Sequence, residues 1–201
     1  MDSNFLTNYQ FGTSGGNNLD IIRYPDRRLA LRSVPVEIFD QDLHTLCQDM
    51  LYTMYDAPGI GLAAAQVGKN IRVIVIDAHY SRNEVTNANG EEELRLSDFN
   101  PQVLINPVIT AKEETVIHEE GCLSLPGIYE QVTRSKIITV EYHDMFGNQK
   151  SSTEEDLSSI CIQHEIDHLD GKVFLDHISL LKRSFYKKKL LKEKKKRKTE
   201  D

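Results

Sequence analysis

The sequence predicts an α+β fold, with strands in the middle of the chain and one helix before and one helix after them. Two amphipathic helical patterns, one early and one late, enclose several short β-branched segments in the middle of the chain. Because no helical pattern separates these segments from one another, alternating β-α-β units are disfavoured.

The chain has 201 residues and a hydrophobic content of 39%, which is enough to bury the core of one domain. Residues 1–18 are rich in Asn, Gly, Ser and Thr without periodicity, so they predict a flexible N-terminal arm. We therefore expect one folded domain over 19–181 and a basic C-terminal extension over 182–201.

Cysteine usage and hydropathy bear on the cellular location. Cys47, Cys122 and Cys161 are too few and odd in number for a disulfide framework, and no secretory leader precedes them. The first residues lack the Arg-rich character of an organelle transit peptide. No apolar run approaches the ~20 residues that a membrane span needs. These features predict a protein of the reducing cytoplasm without membrane attachment.

The formal net charge of −7 is distributed unevenly along the chain. Residues 182–198 hold eleven Lys or Arg against one Glu, a formal +10, so the remainder carries −17. An acidic body is not typical of a nucleic-acid-binding surface, whereas the basic end is. Two interpretations of that end are open. It is a frayed helix or a disordered segment surrounded by solvent, or a helix continues over 178–191 and its Lys and Arg side chains contact nucleic-acid phosphates.

The first helix is predicted from Asp40 onward, where apolar residues recur at helical spacing, and it ends before Pro58-Gly59. Its apolar positions are Leu43, Leu46, Cys47, Met50, Leu51 and Met54.

Three segments have the composition of strands. Residues 71–76 and 103–109 are short β-branched runs, and residues 136–142 alternate before a turn at 146–148. The polar stretch 79–102 between the first two is predicted to be a surface loop.

The second helix has a predicted start and a predicted end. Residues 152–155 (STEE) offer an N-cap and a capping-box acid, and Gly171 ends the run. One face of this helix carries Leu157, Ile160, Cys161, His164 and His168.

His164 and His168 stand four residues apart, so on a helix both imidazoles project from one face and can share one metal ion. Glu165 lies at the edge of that face, where it can reach a water on the metal without ligating the metal. Histidines at this spacing are otherwise solvent-facing or capped core residues, but a Glu after the first His favours the metal site. The second helix is therefore the predicted metal-binding helix.

A catalytic metal site needs a third protein ligand and an open position. Cys161 shares the helical face, but it is separated from His168 by ~10 Å of helical rise, so it is predicted to line a pocket beside the metal. Cys122 is the better candidate, since Gly121 lets the backbone approach closely. A buried structural cysteine is the alternative interpretation of Cys122.

Residues 59–66 (GIGLAAAQ) form the third conspicuous segment. A dinucleotide loop is excluded because a helix precedes the segment and the third glycine of that motif is absent. The small residues indicate either tight packing or a place where another chain lies against the backbone. Gln66 could then donate from its amide to an oxygen anion.

Three segments in this order, Gly59 to Gln66, Glu120 to Ser124 and Gln163 to His168, resemble the three motifs of the peptide deformylase family. The resemblance spans roughly residues 19–181 and implies a deformylase-like catalytic domain. It implies an α+β fold with antiparallel sheets around a central metal-binding helix that carries the two histidines, plus a C-terminal helix. It also implies a metallohydrolase that removes the formyl group from the N-terminal formyl-methionine of nascent polypeptides and releases formate.

The resemblance also implies the role of each matched residue. Cys122, His164 and His168 would bind one divalent metal, natively Fe²⁺, with Zn²⁺, Ni²⁺ or Co²⁺ able to substitute. Gln66 and the backbone N–H of Leu123 would hold the oxyanion, and Glu165 would transfer the proton.

Further residues are implied around these. Glu120 and Arg134 would form a salt bridge that steadies the Cys122 loop. The peptide backbone would pair at Gly61 and Gly127, and the methionine side chain would enter a pocket of Gly59, Ile60, Leu157, Ile160 and Cys161. The implied partners are N-formyl-Met peptides and, through the basic C-terminal extension, the ribosome.

Two other functions compete with this interpretation. A zinc endopeptidase would take its third ligand downstream of the helix, where Asp176 and His177 are available. A catalytically inert module would use the metal for stability and bind ribosomes through its basic end. Purely structural sites use four protein ligands, so the presence of Glu165 and Gln66 favours an enzyme.

Overall fold

The computed structural model describes residues 16–86 and 89–200, and for residues 93, 94 and 193–200 it describes the backbone alone. Residues 1–15 of the predicted arm lie outside the described residues. Asn17, in the described part of the arm, contacts the first helix: its backbone N–H donates to the Asp49 side chain at 2.7 Å. Within the described chain, no helix is long and apolar enough to cross a membrane.

The described chain contains three α-helices, seven β-strands and short 3-10 turns. The helices are α1 (Gln41–Asp56), α2 (Asp156–Leu169) and α3 (Leu180–Glu200). The strands are β1 (Gly61–Ala63), β2 (Val73–Ile76), β3 (Ser81–Thr86), β4 (Glu92–Ser97), β5 (Gln102–Glu120), β6 (Glu130–His143) and β7 (Gln149–Glu155).

The predicted α+β class with antiparallel sheets is confirmed. Five strands form one antiparallel sheet in the order β1-β2-β5-β6-β7, and β3 pairs with β4 in a second sheet. Strands β5 and β6 are the longest and pair until Glu120 lies opposite Glu130. The turn between them therefore brings the segment that carries Cys122 to one end of the sheet.

Strand β2 explains why residues 71–76 are almost continuously apolar. Val73 and Val75 belong to the core on α1, whereas Ile74 and Ile76 belong to the core that contains Ile162 of α2. Successive side chains of a strand point to opposite faces, so α1 and α2 cover the two faces of the sheet. A strand covered on both faces needs an apolar side chain at every position.

Helix α1 agrees with its prediction at both ends. The Asp40 side chain caps it by accepting a hydrogen bond from the Leu43 N–H at 3.0 Å, and the helix ends at Asp56, before Pro58. Burial of its apolar stripe is the main source of its stability, since each fully buried Leu or Met is worth ~1.5–3 kcal/mol.

The prediction that residues 79–102 form a surface loop is wrong. Strands β3 and β4 form a hairpin whose register runs from Ser81 opposite Ser97 to Thr86 opposite Glu92. Most residues of this hairpin are polar, and apolar alternation is confined to Leu94 and Leu96, a pattern too short to predict a strand. In the hairpin the backbone N–H and C=O groups of the two strands pair with each other, whereas in a loop they would bind water.

The predicted cap of the metal-binding helix is also wrong. Ser152 and Thr153 lie in β7 and pair with β6, and the N-cap of α2 is Glu155, whose side chain makes no capping hydrogen bond. Backbone pairing with β6 holds Ser152 and Thr153 in a strand before the helix begins, so neither side chain caps the helix. Strands β5 and β6 likewise extend beyond the predicted 103–109 and 136–142 because they pair with each other along their full length.

Gly171 ends the turn after α2, as predicted, with a left-handed φ of 72°. A Cβ at this position would lie 2.7 Å from the Ala30 carbonyl oxygen. The chain then returns to Phe174, whose ring stacks on His164 with the centroids 6.1 Å apart. The turn at Gly171 therefore leads the chain back to cover His164, the first of the two candidate metal ligands on α2.

We expect Gly171→Ala to lower the free energy of unfolding by about 2 to 4 kcal/mol, because left-handed backbone and overpacking both add a cost. Gly90→Ala is the matched control, since Gly90 has a φ of 83° and no atom of the described residues lies within 4 Å of an added Cβ. That control should lose only about 1 kcal/mol. Urea unfolding of both variants measures the difference, and equal losses would mean that the contact with Ala30 costs nothing.

Candidate metal centre

Cys122, His164 and His168 form a group that could hold a metal ion. Their donor atoms lie within 4.8 Å of one another, and among the described residues they are the only group of this kind. Both imidazoles come from the inward face of α2, and the thiol comes from the turn between β5 and β6. The two histidines are buried, and Cys122 is half-buried.

The spacing of these donors fits a tetrahedral metal. The Cys122 Sγ and His168 Nε2 atoms are 3.3 Å apart. Two ligands at bond lengths of ~2.0–2.3 Å around a tetrahedral ion lie roughly 3.5 Å apart. Because three protein donors leave one position open, this donor set is of the catalytic type.

A buried carboxylate orients the first histidine. The Glu120 Oε2 and His164 Nδ1 atoms are 2.8 Å apart, which directs the other ring nitrogen of His164 towards Cys122. Burial by itself would raise the pKa of Glu120, but hydrogen bonds from His164 and Arg134 outweigh it and lower that pKa to about 2. Glu120 therefore stays ionised beside the metal site.

Arg134 extends this arrangement into a network. Its Nε and Nη2 atoms donate to Glu120 at 2.7 and 3.0 Å, and its Nη1 atom donates to Asp167 at 2.6 Å. Asp167 in turn lies 2.7 Å from the Nε2 atom of His177. The sequence prediction identified Glu120 and Arg134 as a pair but missed the part of Asp167 and His177 in this network. The contact of Asp167 with Arg134 depends on the packing of α2 against β6.

Glu165 is buried next to the candidate metal ligands. Burial raises its pKa to about 7, and its Oε2 atom has no hydrogen-bond partner among the described residues. Buried carboxylate oxygens are normally satisfied, so a water or a ligand is expected at this atom.

Gly61 makes room for this carboxylate. A Cβ on Gly61 would lie 2.6 Å from both Glu165 Oε1 and Cys161 Sγ. The second glycine of the GIG segment, Gly61, is therefore required for the close approach of β1 to α2.

Gln66 lies with its amide nitrogen directed at the metal site. Its Oε1 atom accepts from the Ala63 N–H at 2.8 Å, while its Nε2 atom lies 3.3 Å from Ser124 Oγ and 3.6 Å from Cys122 Sγ. The accepting bond fixes the carbonyl side of the amide, so the N–H groups face Cys122. Ser124 was not singled out as an orienting residue by the sequence prediction.

A cavity of about 620 Å³ opens over the candidate metal site. Gln66, Cys122, Leu123, His164 and Glu165 line its floor. Its walls include all seven residues predicted to bind substrate, Gly59, Ile60, Gly61, Gly127, Leu157, Ile160 and Cys161. Cys161 thus lines the cavity and does not belong to the metal-binding group.

The downstream residues that a zinc endopeptidase would use are engaged elsewhere. Asp176 accepts a hydrogen bond from the Val173 N–H at 2.9 Å and pairs with Arg183, and His177 pairs with Asp167. Neither belongs to the group of donors around Cys122. This arrangement removes the basis for the protease interpretation.

Comparison with known proteins gives a consistent result. A family model described as polypeptide deformylase matches residues 18–184. A peptide deformylase 2 of Xanthomonas axonopodis is 44% identical over 180 residues, which cover 88% of this chain and 96% of that protein. A peptide deformylase of Alkalilimnicola ehrlichii is 47% identical over 172 residues, which cover 86% of this chain and 88% of that protein.

Solved structures agree with the sequence relatives. The crystal structure of a peptide deformylase from Ehrlichia chaffeensis is 38% identical with a TM-score of 0.76, and the match covers 89% of this chain and 97% of that one. A further structure of the Ehrlichia chaffeensis enzyme, with a TM-score of 0.75, 38% identity and coverage of 88% and 98%, is in complex with actinonin.

We expect Cys122→Ala to lower the bound metal at least tenfold, because two imidazoles on one helix bind a divalent ion much more weakly without the thiolate. Cys161→Ala is the matched control, since Cys161 is a buried free cysteine of the same cavity outside the metal-binding group. Elemental analysis after dialysis measures metal per chain. Retention of metal by Cys122→Ala together with its loss in His177→Asn would support a downstream ligand instead.

Proposed function

This chain belongs to the polypeptide deformylase family, and we propose that Cys122, His164 and His168 hold the metal on which its reaction depends, with Glu165 as the proton-transferring residue. As a member of that family it is a metal-dependent hydrolase that removes the formyl group from the N-terminal formyl-methionine of nascent polypeptides. The observation that carries the assignment of the site is the convergence of the three donors within 4.8 Å of one another, beside the cavity that Cys122 and His164 line.

The chemistry can be assigned to individual residues. When bound, a divalent metal ion supplies Lewis acidity, which lowers the pKa of a water ligand towards ~7 and polarises a carbonyl oxygen. Glu165 accepts a proton from the water that attacks the formyl carbon. It then gives this proton to the amine nitrogen as the carbon–nitrogen bond breaks, so that formate and a free amino terminus leave.

The developing negative charge on the formyl oxygen needs donors that are already in position. We assign this role to the Gln66 amide, whose carbonyl side is held by Ala63, and to the backbone N–H of Leu123. Both residues line the cavity beside Cys122. The oriented amide supports this assignment because it would lose little freedom as the charge develops.

The methionine side chain is assigned to the apolar end of the same cavity. Ile60, Leu157, Ile160 and Cys161 supply its apolar surface, and the backbone at Gly61 and Gly127 is open to an extended peptide. In the described part of the chain, no atom lies within 4 Å of a Cβ built on Gly127, which is consistent with a space for the peptide at that edge.

We assign Fe²⁺ as the native metal, with Zn²⁺, Ni²⁺ or Co²⁺ able to substitute. One thiolate and two imidazoles suit each of these ions, so the assignment of iron rests on the family resemblance. We further assign the catalytic domain to residues 19–181 and the reaction to the cytoplasm, where nascent formylated chains are made.

We expect Glu165→Gln to lower kcat by about 10²–10⁴-fold while the protein keeps its metal, because the amide cannot carry the proton. Glu155→Gln, at the exposed start of α2, is the control and should keep full activity. Formate release from formyl-Met-Ala-Ser, by protein purified without oxygen, measures both. Full activity of Glu165→Gln would exclude this residue as the proton carrier.

The basic extension supports a second proposal, a contact of α3 with ribosomal RNA. Lys182 and Arg183 pair with Glu130 and Asp176 and so fasten the start of the helix to the domain. The exposed lysines that follow, among the side chains that the structure describes, form no ion pair and are Lys187, Lys188, Lys189 and Lys192. A row of unpaired lysines on a helix is suited to phosphates.

We expect ribosome binding to weaken about 100-fold between 50 and 200 mM salt, as about four phosphate contacts would require. Lys188→Glu with Lys192→Glu should weaken binding further without changing formate release. Lys69→Glu with Lys150→Glu makes the same charge change on other exposed positions and should have little effect. Co-sedimentation with ribosomes measures all three proteins, and salt-independent binding would reject the electrostatic contact.

A further inference from the structure

Gly59, Ile60 and Gly61 form one wall of the cavity. Gly59 and Ile60 lie between α1 and β1, and Gly61 is the first residue of β1. Two of the three residues are glycines, which have more backbone freedom to lose than any other residue. The Gly59 N–H donates to the Met54 carbonyl at 2.8 Å, and the Ile60 carbonyl accepts from the Asp77 N–H at 2.8 Å. The Gly59 carbonyl needs a partner from another part of the chain.

The hairpin of β3 and β4 provides that partner. The Tyr80 hydroxyl, directly before β3, donates to the Gly59 carbonyl oxygen at 2.8 Å. Arg82 Nε donates to the same hydroxyl oxygen at 2.9 Å. Because Arg82 donates to the hydroxyl oxygen of Tyr80, the hydroxyl group uses its own hydrogen to donate to the Gly59 carbonyl.

The Tyr80 ring is fixed by packing. It meets the Tyr55 ring edge-on with the centroids 5.0 Å apart, and it lies nearly parallel to the Phe99 ring at 6.4 Å. The Arg82 guanidinium lies 5.2 Å from its centroid and also donates to the Tyr55 carbonyl at 2.8 Å. Aromatic pairs of this kind hold a ring in one orientation.

A buried carboxylate ties the two ends of the hairpin to this cluster. Asp77 accepts from the backbone N–H of Tyr80 at 3.1 Å and from that of Asn100 at 2.8 Å. It also accepts from the Tyr55 hydroxyl at 2.7 Å. The hairpin therefore enters and leaves the domain at one anchored point directly behind the cavity wall.

None of the described residues from 79 to 102 lines the cavity, so the hairpin does not touch a substrate there. We propose that Tyr80 is a positioning residue for substrate binding, which sets the Gly59–Ile60 wall of the methionine pocket through its hydrogen bond to the Gly59 carbonyl. This inference rests on the proposed placement of the methionine side chain. Arg82 acts through Tyr80 by holding the hydroxyl.

The test is the variant Tyr80→Phe, which keeps the ring and removes only the hydroxyl. Its KM for formyl-Met-Ala-Ser should rise about 2- to 12-fold, the effect of one hydrogen bond between neutral groups, while kcat changes less than about twofold. Metal content should not change. Tyr142→Phe is the matched control, since Tyr142 is another half-buried tyrosine, on β6 and outside the cavity lining, and its KM should equal that of the unchanged protein.

Arg82→Met provides a second variant that does not depend on the folding of Tyr80→Phe. It should raise KM in the same direction by a smaller factor, and it should add nothing on the Tyr80→Phe background, as expected for two residues in one chain of contacts. Equal KM values for Tyr80→Phe and the unchanged protein would overturn the inference, as would a fall in kcat without a rise in KM.

The unchanged protein is also assayed with formyl-Gly-Ala-Ser. If it discriminates strongly against this peptide, the proposed methionine pocket stands and the result for Tyr80→Phe bears on the positioning role alone. If it does not discriminate, the pocket assignment is rejected and the inference about Tyr80 is rejected with it.

Discussion

The buried carboxylate of Glu120 is the interaction on which the arrangement of the site depends. A charge removed from water is tolerated only when it is paired and hydrogen-bonded, and Glu120 is paired with both Arg134 and His164. These three residues come from β5, β6 and α2, so satisfying one charge fixes three elements relative to each other. Cys122 follows Glu120 by two residues and is thereby brought to the imidazoles.

Space beside the metal-binding group is as tightly constrained as charge. A Cβ on Gly61 would collide with Glu165, and a Cβ on Gly121 would lie 2.7 Å from the Tyr129 ring. Glycine at these positions lets β1 and the Cys122 turn approach α2 and the cavity rim. Neither Gly61 nor Gly121 has a left-handed backbone conformation. Glycine is needed at both positions because there is no room for a side chain.

Two peripheral elements support the cavity from behind. The hairpin of β3 and β4 contacts the Gly59 wall through Tyr80. Helix α3 buries Leu190 in the same apolar cluster as Leu125 and Ile128, which line the opposite part of the cavity. Each element makes a few inward contacts with the domain, and its composition alone does not reveal them.

The sequence by itself determined the chemistry of this protein and the elements that carry it. The spacing of His164 and His168 requires one helical face, the order of three motifs indicates the family, and the apolar stripe of α1 gives its bounds within one residue. These are local properties, because helical periodicity and capping depend on residues that are close in the chain. The choice of Cys122 over Cys161 also followed from local geometry, through the rise of the helix.

Only the tertiary structure decided what depends on pairing between distant segments. The hairpin at 81–97 and the strand at 149–155 form because backbone groups find partners across a sheet, although their side chains are polar. The contacts of Asp167 with Arg134 and of Tyr80 with Gly59 join residues 33 and 21 positions apart, and no local pattern marks them. Such contacts are specified by where the chain folds back, which is a property of the whole sheet and its two covering helices.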